Sequence, residues 1–508
     1  MRFAQLAASG YYNRLTFHRV VPNGIIQGGS PGANEYSSDA PYMRDEVGQW
    51  PHVRGALGIS TRGRDTGDAQ IFIDLVDNPR YDHTYTVFAQ VLNGMDVVDR
   101  IIEGDVIESV DDRTVRFSHR IPPSLDANEL SRTVARLRAA GAPLVDLTES
   151  NPTRAGFEYP DDLLAPLADP RGLAYRPDAL GLIDARHAVA DDFARRGITM
   201  TVDHLALTAS TSEAYSLLFK VLCDPGDEVL IPQPSYPLFE HLTRLDAVEA
   251  VAYRLDYHGR WVVDIASVEH AISDRTRALL LVNPNNPTGN FVSAVDLEAL
   301  AVLCAPRGIA IISDEVFADY ELVEESAVPR GQLAGRDDVL GFTLGGLSKT
   351  VGLPQVKLGW IGVSGPGSLV DATMPRLELA CDTYLSVSTP VQLAASALLD
   401  RGRLIRHRIL ERVRANLTTC ARLVHDSPSC SLLHAEGGWY AVLRVPTLMA
   451  EEELMLSLLR DDSVLVHAGY FFDFPHESFL VVSLLPVEPL FADGVSRVLA
   501  RFRTATAA

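Results

Sequence analysis

Four short stretches place chemically capable residues beside neighbours small enough to let a ligand approach. GGLSKTVGLPQVKLGW, residues 345–360, sets Lys349 just after an apolar run and among glycines, with Lys357 eight residues on. A lysine at a strand end with small neighbours suits Schiff-base capture of an aldehyde, although most lysines are merely solvated. AIISDEVF carries Asp314 after a second apolar run, and LLLVNPNNPTG carries Asn286 in a turn after a third. HLALTAST ends on Ser210 and Thr211, and SEAYSLLFKVL continues from them as a helix. Free amides and the positive end of the helix dipole make a phosphate seat there. Taken singly, the serine and threonine read as helix caps and the NPTG as a turn. Their joint arrangement carries the chemistry.

The elements that must position these groups are legible from Ala127 onward. ANELSRTVARLRAA has helical spacing, and long helices then alternate with the apolar runs EVLIPQ, ALLLVNP, IAIISDE and GFTLGGL. Strands apolar on both faces and separated by helices predict a mostly parallel sheet covered on both sides. In such sheets ligands collect at the carboxyl ends of the strands, where Ser210, Asn286, Asp314 and Lys349 all fall. An amine for an aldehyde, a carboxylate, an amide and a phosphate seat together describe what pyridoxal 5′-phosphate requires.

Residues 1–112 have a different texture. Short β-type runs (LTFHRVV, GALGIS, AQIFIDLV, YTVFAQVL) are separated by turn clusters such as GRDTGD, which predicts a compact β-rich unit. SHRIPPSLD, with its paired prolines, reads as a linker. The expected division is a β-rich domain at 1–112, a linker at 113–126, a large α/β domain with its arm at 127–365 and a small domain at 366–508.

Bulk properties narrow the partners. The formal charge of -21 over 508 residues opposes nucleic-acid and anionic-membrane partners. Five cysteines without a CxxC pair point to free thiols in a reducing cytosol and to no zinc site. The opening residues lack an apolar signal core, and no run of about 18 apolar residues occurs. The expectation is a soluble cytoplasmic protein without a metal.

YRPDALGLIDAR, TASTSEA, PQPSYPLFE, NPNNPTG, SDEVFADY and SKTVGLPQVKLGW make residues from about 127 to 505 resemble the fold-type I, class I/II aminotransferases. The resemblance implies that Lys349 forms the internal aldimine and later shuttles a proton, and that Asp314 pairs with the pyridine nitrogen. It further implies that Asn286 bonds the ring hydroxyl and that Tyr236 stacks on the ring, with Phe239 as the fallback. Ser210, Thr211, Ser348 and Lys357 would hold the phosphate, and Tyr175 would reach it from a neighbouring subunit, which implies a homodimer. The implied partners are an amino donor and an oxo-acid acceptor.

Three positions depart from the family pattern. Lys357 replaces a common arginine, exchanging a bidentate fork for a point charge. Phe317 stands where a tyrosine usually donates to the ring oxygen. Val481, in FLVVSLL, stands where an arginine normally grips the substrate α-carboxylate, and Arg154 in the substrate-side loop ESNPTRAGFEYP is the candidate substitute. Loss of that anchor keeps a decarboxylase or lyase open as the alternative reaction.

FHRVVPNGIIQGG and TGDAQIFIDLVDNPRYDHTYTVFAQVLNGMDVVDRI make residues 1–110 resemble cyclophilin-type peptidyl-prolyl isomerases, which implies a β-barrel fragment that takes X–Pro segments. Arg19 matches the catalytic arginine that stabilises a twisted amide, a twist opposed by a barrier of ~20 kcal/mol. Gln27 and Phe72 match a hydrogen-bond donor and a wall of the proline pocket. Gly24, Ile25, Arg80, Tyr81 and Tyr85 differ from the family's usual pocket residues. The resemblance also implies that the opening strands of a complete barrel are missing, which would leave open edges. A prolyl-binding factor with a degenerate second half is the reading from a different functional class, opposed by the intact set Asp314, Asn286 and Lys349.

Overall fold

The computed structural model describes residues 2–37, 42–110, 118–122, 125–323, 328–447, 449–476 and 478–505. Residues 113–117, 123 and 124 of the expected linker therefore lie outside the described residues. The chain divides into two compact units, Met1–Ser118 and His119–Ala508.

In the first unit, strands β1 (Thr16–Val21), β2 (Ile25–Ser30), β3 (Ala56–Ile59), β4 (Ile71–Asp74) and β5 (Val87–Gln90) form one antiparallel sheet in the order β1-β2-β4-β3-β5. β2 and β4 are central and fully buried. The outer edge of β1 is covered locally: Phe17 N–H donates to Asp105 O, Gly104 N–H to Phe17 O and Ile107 N–H to Leu15 O, all within 2.7–2.9 Å. That pairing blunts an edge that would otherwise template another strand.

In the second unit the helix Glu129–Ala139 is followed by the short strand β6 (Val145–Asp146). Its large sheet comprises β7 (Leu205–Thr208), β8 (Glu228–Gln233), β9 (Glu249–Tyr257), β10 (Trp261–Val263), β11 (Thr276–Val282), β12 (Ala310–Asp314), β13 (Gly341–Gly346) and β14 (Gly359–Ser364). Their order is β10-β9-β8-β11-β12-β13-β14-β7, parallel from β9 through β13 and antiparallel at both ends. Alternate side chains of β11 enter opposite cores: Leu279 and Leu281 join one cluster, Ala278, Leu280 and Val282 the other. Each buried leucine contributes about 1.5–3 kcal/mol, so the continuous apolar runs are explained by burial on two faces.

A smaller sheet takes β15 (Ser431–Leu432), β16 (Tyr440–Arg444), β18 (His467–Ala468) and β19 (Phe479–Ser483) in the order β15-β16-β19-β18. Between them, β17 (Val464–Leu465) pairs in parallel with β6, so an early strand of this unit is hydrogen-bonded to one more than 300 residues further along the chain. Among the described residues no helix is long and apolar enough to cross a membrane.

Candidate active sites

The parallel core delivers three of the four singled-out groups to neighbouring strand ends. Asp314 closes β12, in register with Val282 at the end of β11, and its carbonyl accepts from Asn283 N–H at 2.8 Å. The turn that follows β11 carries Asn286. Lys349 follows β13 in the short helix Leu347–Thr350. Gly345, beside it, must be glycine: a Cβ there would meet the Trp360 indole of β14 at 2.4 Å. The close pairing of β13 with β14 thus depends on the absence of a side chain just before the lysine.

The electrostatics suit proton transfer. Burial pushes the Lys349 amine down to about 8, partly opposed by the nearby Asp314 carboxylate. Its Nζ lies 4.8 Å from the Trp439 ring centroid and 5.6 Å from that of Phe317. Tyr320 Oη donates to the Lys349 carbonyl at 2.5 Å, fixing the backbone beneath it. Burial pushes Asp314 up to about 6, against the lowering effect of hydrogen bonds from Tyr215 Oη at 2.8 Å and Val316 N–H at 3.1 Å.

The amide oxygen of Asn286 is buried without a hydrogen-bond partner. The neighbouring Asn285, by contrast, is fully engaged with Ser235, Pro234 and Thr288. An orphaned buried polar atom in the turn after β11, the strand paired with the one that Asp314 closes, is what a polar ligand would satisfy. Ser210 caps the helix Thr211–Leu222, its Oγ accepting from Glu213 N–H at 3.2 Å. The donor set therefore fits pyridoxal 5′-phosphate.

The remaining expected residues fall differently. Tyr236 is 42% exposed, whereas Phe239 is buried edge-on against Tyr215. Lys357 is exposed, in left-handed backbone with φ 62°. Ser348 shares the lysine's helix. Tyr175 is 78% exposed, close in sequence to Leu173 at 92%. Arg154 is ion-paired with Glu149 at 3.0 Å. That loop is tied to the small sheet, since Ser483 Oγ donates to Glu149 O at 2.6 Å. Val481 is fully buried, and its cross-strand partner His467 is held neutral by burial, pushed down to about 4. Among the described residues no cluster of His, Cys, Asp or Glu could hold a metal.

Two neighbours of the site lie outside the expected set. In GGWYAVLRVP either Trp439 or Tyr440 could face the substrate, but large aromatics in strands are more often core; Trp439 is fully buried, and its ring also faces Lys349. Tyr215 lies mid-helix with apolar spacing that carries no functional signal.

In the first unit, Arg19, Gln27 and Phe72 stand in line across three adjacent strands, Arg19 opposite Gln27 and Gln27 opposite Phe72. Arg19 Nη1 donates to Gln27 Oε1 at 3.1 Å, and Gln27 Nε2 donates to Ser60 Oγ at 3.0 Å and Gln70 Oε1 at 2.9 Å. These residues, with Ile25, Tyr81 and Tyr85, line a cleft of about 190 Å³. The Phe72 ring lies over Gly58, where any Cβ would meet it at 2.2 Å. His52 stacks at 5.7 Å from the Phe72 ring and hydrogen-bonds Asp74 through Nδ1 at 2.8 Å.

Comparison with known proteins accounts for both units. Residues 140–487 match the family described as aminotransferase class I and II, and residues 1–121 match the cyclophilin-type peptidyl-prolyl cis-trans isomerases. The chain is 29% identical over 374 residues to an alanine aminotransferase of Mycobacterium tuberculosis, covering 72% of this chain and 86% of that one. It is 28% identical over 367 residues to the glutamate-pyruvate aminotransferase AlaA of Escherichia coli, covering 70% and 89%. Among solved structures, an alanine aminotransferase from Pyrococcus furiosus superposes with a TM-score of 0.69 at 25% identity, covering 77% of this chain and all of that one.

Proposed function

The chain belongs to the class I and II aminotransferases, pyridoxal 5′-phosphate-dependent transaminases, and from that premise we propose how its own residues divide the reaction. The cofactor, when bound, supplies the aldehyde that captures the amino group and the ring that delocalises the electron pair left at the substrate α-carbon. Lys349 Nζ moves the proton at that carbon. Its placement carries the reading: it follows β13 with Nζ 4.8 Å from the Trp439 ring and 5.6 Å from the Phe317 ring, an enclosure that lowers the amine to about 8 and suits it to exchange protons near neutral pH. Asp314 holds a proton at the ring nitrogen, Asn286 accepts from the ring hydroxyl through its amide oxygen and Tyr236 covers one face. Ser210, Thr211, Ser348 and Lys357 hold the phosphate. Trp439 and Phe317 exclude water around the amine and keep its proton affinity low.

The exposed Leu173–Tyr175 loop supports a homodimer in which Tyr175 completes the partner's phosphate site. Five cysteines free of disulfides suit a cytoplasmic setting. The relatives named for alanine and glutamate-pyruvate transamination support a small amino acid as donor and a 2-oxo acid as acceptor. With Val481 unable to bind a carboxylate, Arg154 is the proposed anchor. Arg154→Ala should raise KM for the amino acid about tenfold with kcat little changed, because a hydrogen bond to a charged group contributes about 1.5–3 kcal/mol. An unchanged KM would remove Arg154 from the site.

The deciding experiment is a single turnover of the full chain with a panel of amino acids and amines, without acceptor. Release of one oxo acid per site establishes the donor class. Carbon dioxide in its place would establish the decarboxylase reading that buried Val481 favours.

For the first unit we propose peptidyl-prolyl isomerisation at the Arg19–Gln27–Phe72 line. Arg19→Ala in the full chain should lower kcat/KM on an X–Pro peptide by about 10²-fold, the scale of losing one preorganised donor. Equal rates for both proteins in a protease-coupled assay would refute this.

A further inference from the structure

Asp314 has a hydrogen-bond donor that the division of roles above does not use. We propose that Tyr215 is the positioning residue of the cofactor site, its phenol holding Asp314 by one carboxylate oxygen and keeping that carboxylate charged in the interior. The inference rests on the cofactor-site reading and goes beyond it.

The geometry is specific. Tyr215 Oη donates to Asp314 Oδ2 at 2.8 Å, while Asp314 Oδ1 accepts from Val316 N–H at 3.1 Å. Each oxygen has one fixed donor, and a carboxylate with about four acceptor sites retains capacity for a ligand N–H. The Tyr215 ring is 2% exposed, edge-on to Phe239 at 5.4 Å and near-parallel to Phe219 at 6.1 Å, so its direction is locked. Tyr215 follows Thr211 by four residues in the helix Thr211–Leu222, which places both on one face a turn apart. One rigid helix thereby presents its capped end at the phosphate seat and, one turn deeper, a phenol to the carboxylate.

A carboxylate taken out of water tends to protonate unless donors and cations hold its charge. The groups facing Asp314 are Tyr215 from that helix, Val316 N–H and Glu315 from its own strand end, Lys349 from the helix after β13, and Tyr236 from the loop after β8. Glu315 opposes ionisation and Lys349 favours it, but the lysine is committed to the reaction. Tyr215 is the neutral side chain that favours the charged form throughout. Because it donates while remaining uncharged, it holds the carboxylate without competing for the ring nitrogen.

Tyr215→Phe removes one oxygen and leaves the ring packing intact. The measurement is affinity of the cofactor-stripped full chain for pyridoxal 5′-phosphate, by absorbance titration across about pH 6–9. Without its donor Asp314 binds its proton more tightly, and cofactor affinity that requires the carboxylate should fail at higher pH than in the wild type. We expect Kd to rise about tenfold near neutral pH, with the pH dependence displaced upward. In an Asp314→Asn background the same substitution should have no such pH effect. An unchanged Kd and pH profile in Tyr215→Phe overturns the proposal, and so does an equal loss in the Asp314→Asn background, which would mean that the tyrosine acts through packing. A wild-type chain that fails to take up the cofactor overturns the site reading itself, and with it this role.

Discussion

Lys349→Ala should lower the transamination rate by at least about 10³-fold, the upper range for a positioned acid–base group. The amine stands in an aromatic enclosure, 4.8 Å from Trp439 and 5.6 Å from Phe317, and burial lowers its proton affinity to about 8. An unenclosed lysine amine near 10.5 is protonated at neutral pH and cannot accept a proton. As pH rises through about 8 the neutral form of Lys349 grows, so the proton-transfer limb of the rate profile should rise there and then level. Stopped-flow measurement of α-deuterated against ordinary amino acid isolates that limb. An alanine variant that keeps more than a tenth of the wild-type rate would require a different base. Lys349→Arg separates charge from chemistry, since it preserves a cation but cannot act as a base near neutral pH.

Asp314→Asn should weaken binding of pyridoxal 5′-phosphate by about 10²-fold while leaving the cofactor-free chain at least as stable as the wild type. The two effects come from one cause. Burial raises Asp314 from its ordinary 3.8 to about 6, so the folded chain binds that proton more tightly than the unfolded one. The sign follows by linkage. Stability is highest below the unfolded value, falls as pH rises between about 4 and 6, and stays reduced above that window. At pH 7 the ionised carboxylate costs on the order of 1–3 kcal/mol, which a neutral amide avoids. The amide can still accept from Val316 N–H through its oxygen and donate to the Tyr215 oxygen, because a phenol is both donor and acceptor. The gap between thermal melts of the two cofactor-free proteins should be about half as large at pH 5 as at pH 8. A variant less stable than the wild type at pH 8 would contradict this account.

Much of the second unit was legible because its signals are local and repeated. Apolar runs such as LLLV and AIIS must be buried on both faces, so the polar residues that follow them fall at the carboxyl edge of the sheet: Asp314 closes β12, Asn286 lies in the turn after β11 and Lys349 in the helix after β13. Tyr215 was not legible, because a tyrosine at apolar helical spacing looks like packing until its hydroxyl is seen to meet a carboxylate 99 residues away. For Trp439 the sequence leaves core and site roles unresolved, because its long-range neighbour Lys349 belongs to another sheet's end. The Glu149–Arg154 pair is local in sequence, yet nothing in ESNPTRAGFEYP says which of its polar groups will be satisfied within the loop. In the first unit the motif residues were visible, but their alignment across β1, β2 and β4 depends on strand register, which sequence patterns fix only weakly. The pairing of β6 with β17 left no trace at all in the periodicity, as two-residue strands are too short to have one.

That last pairing bears on how the protein is made. Val145 is partnered with Val464, so the arm that leads into the large sheet must wait 319 residues for its hydrogen-bonding neighbour (464 − 145 = 319). On a ribosome adding about 5–20 residues per second, the interval is roughly 15–60 s. The first unit has no such delay, since its strands find their partners within Met1–Ser118. Synthesis therefore releases one finished body early and holds the other open until the last strands emerge. Throughout that interval the nascent chain carries apolar strands with unfinished cover, the condition under which chaperones are engaged.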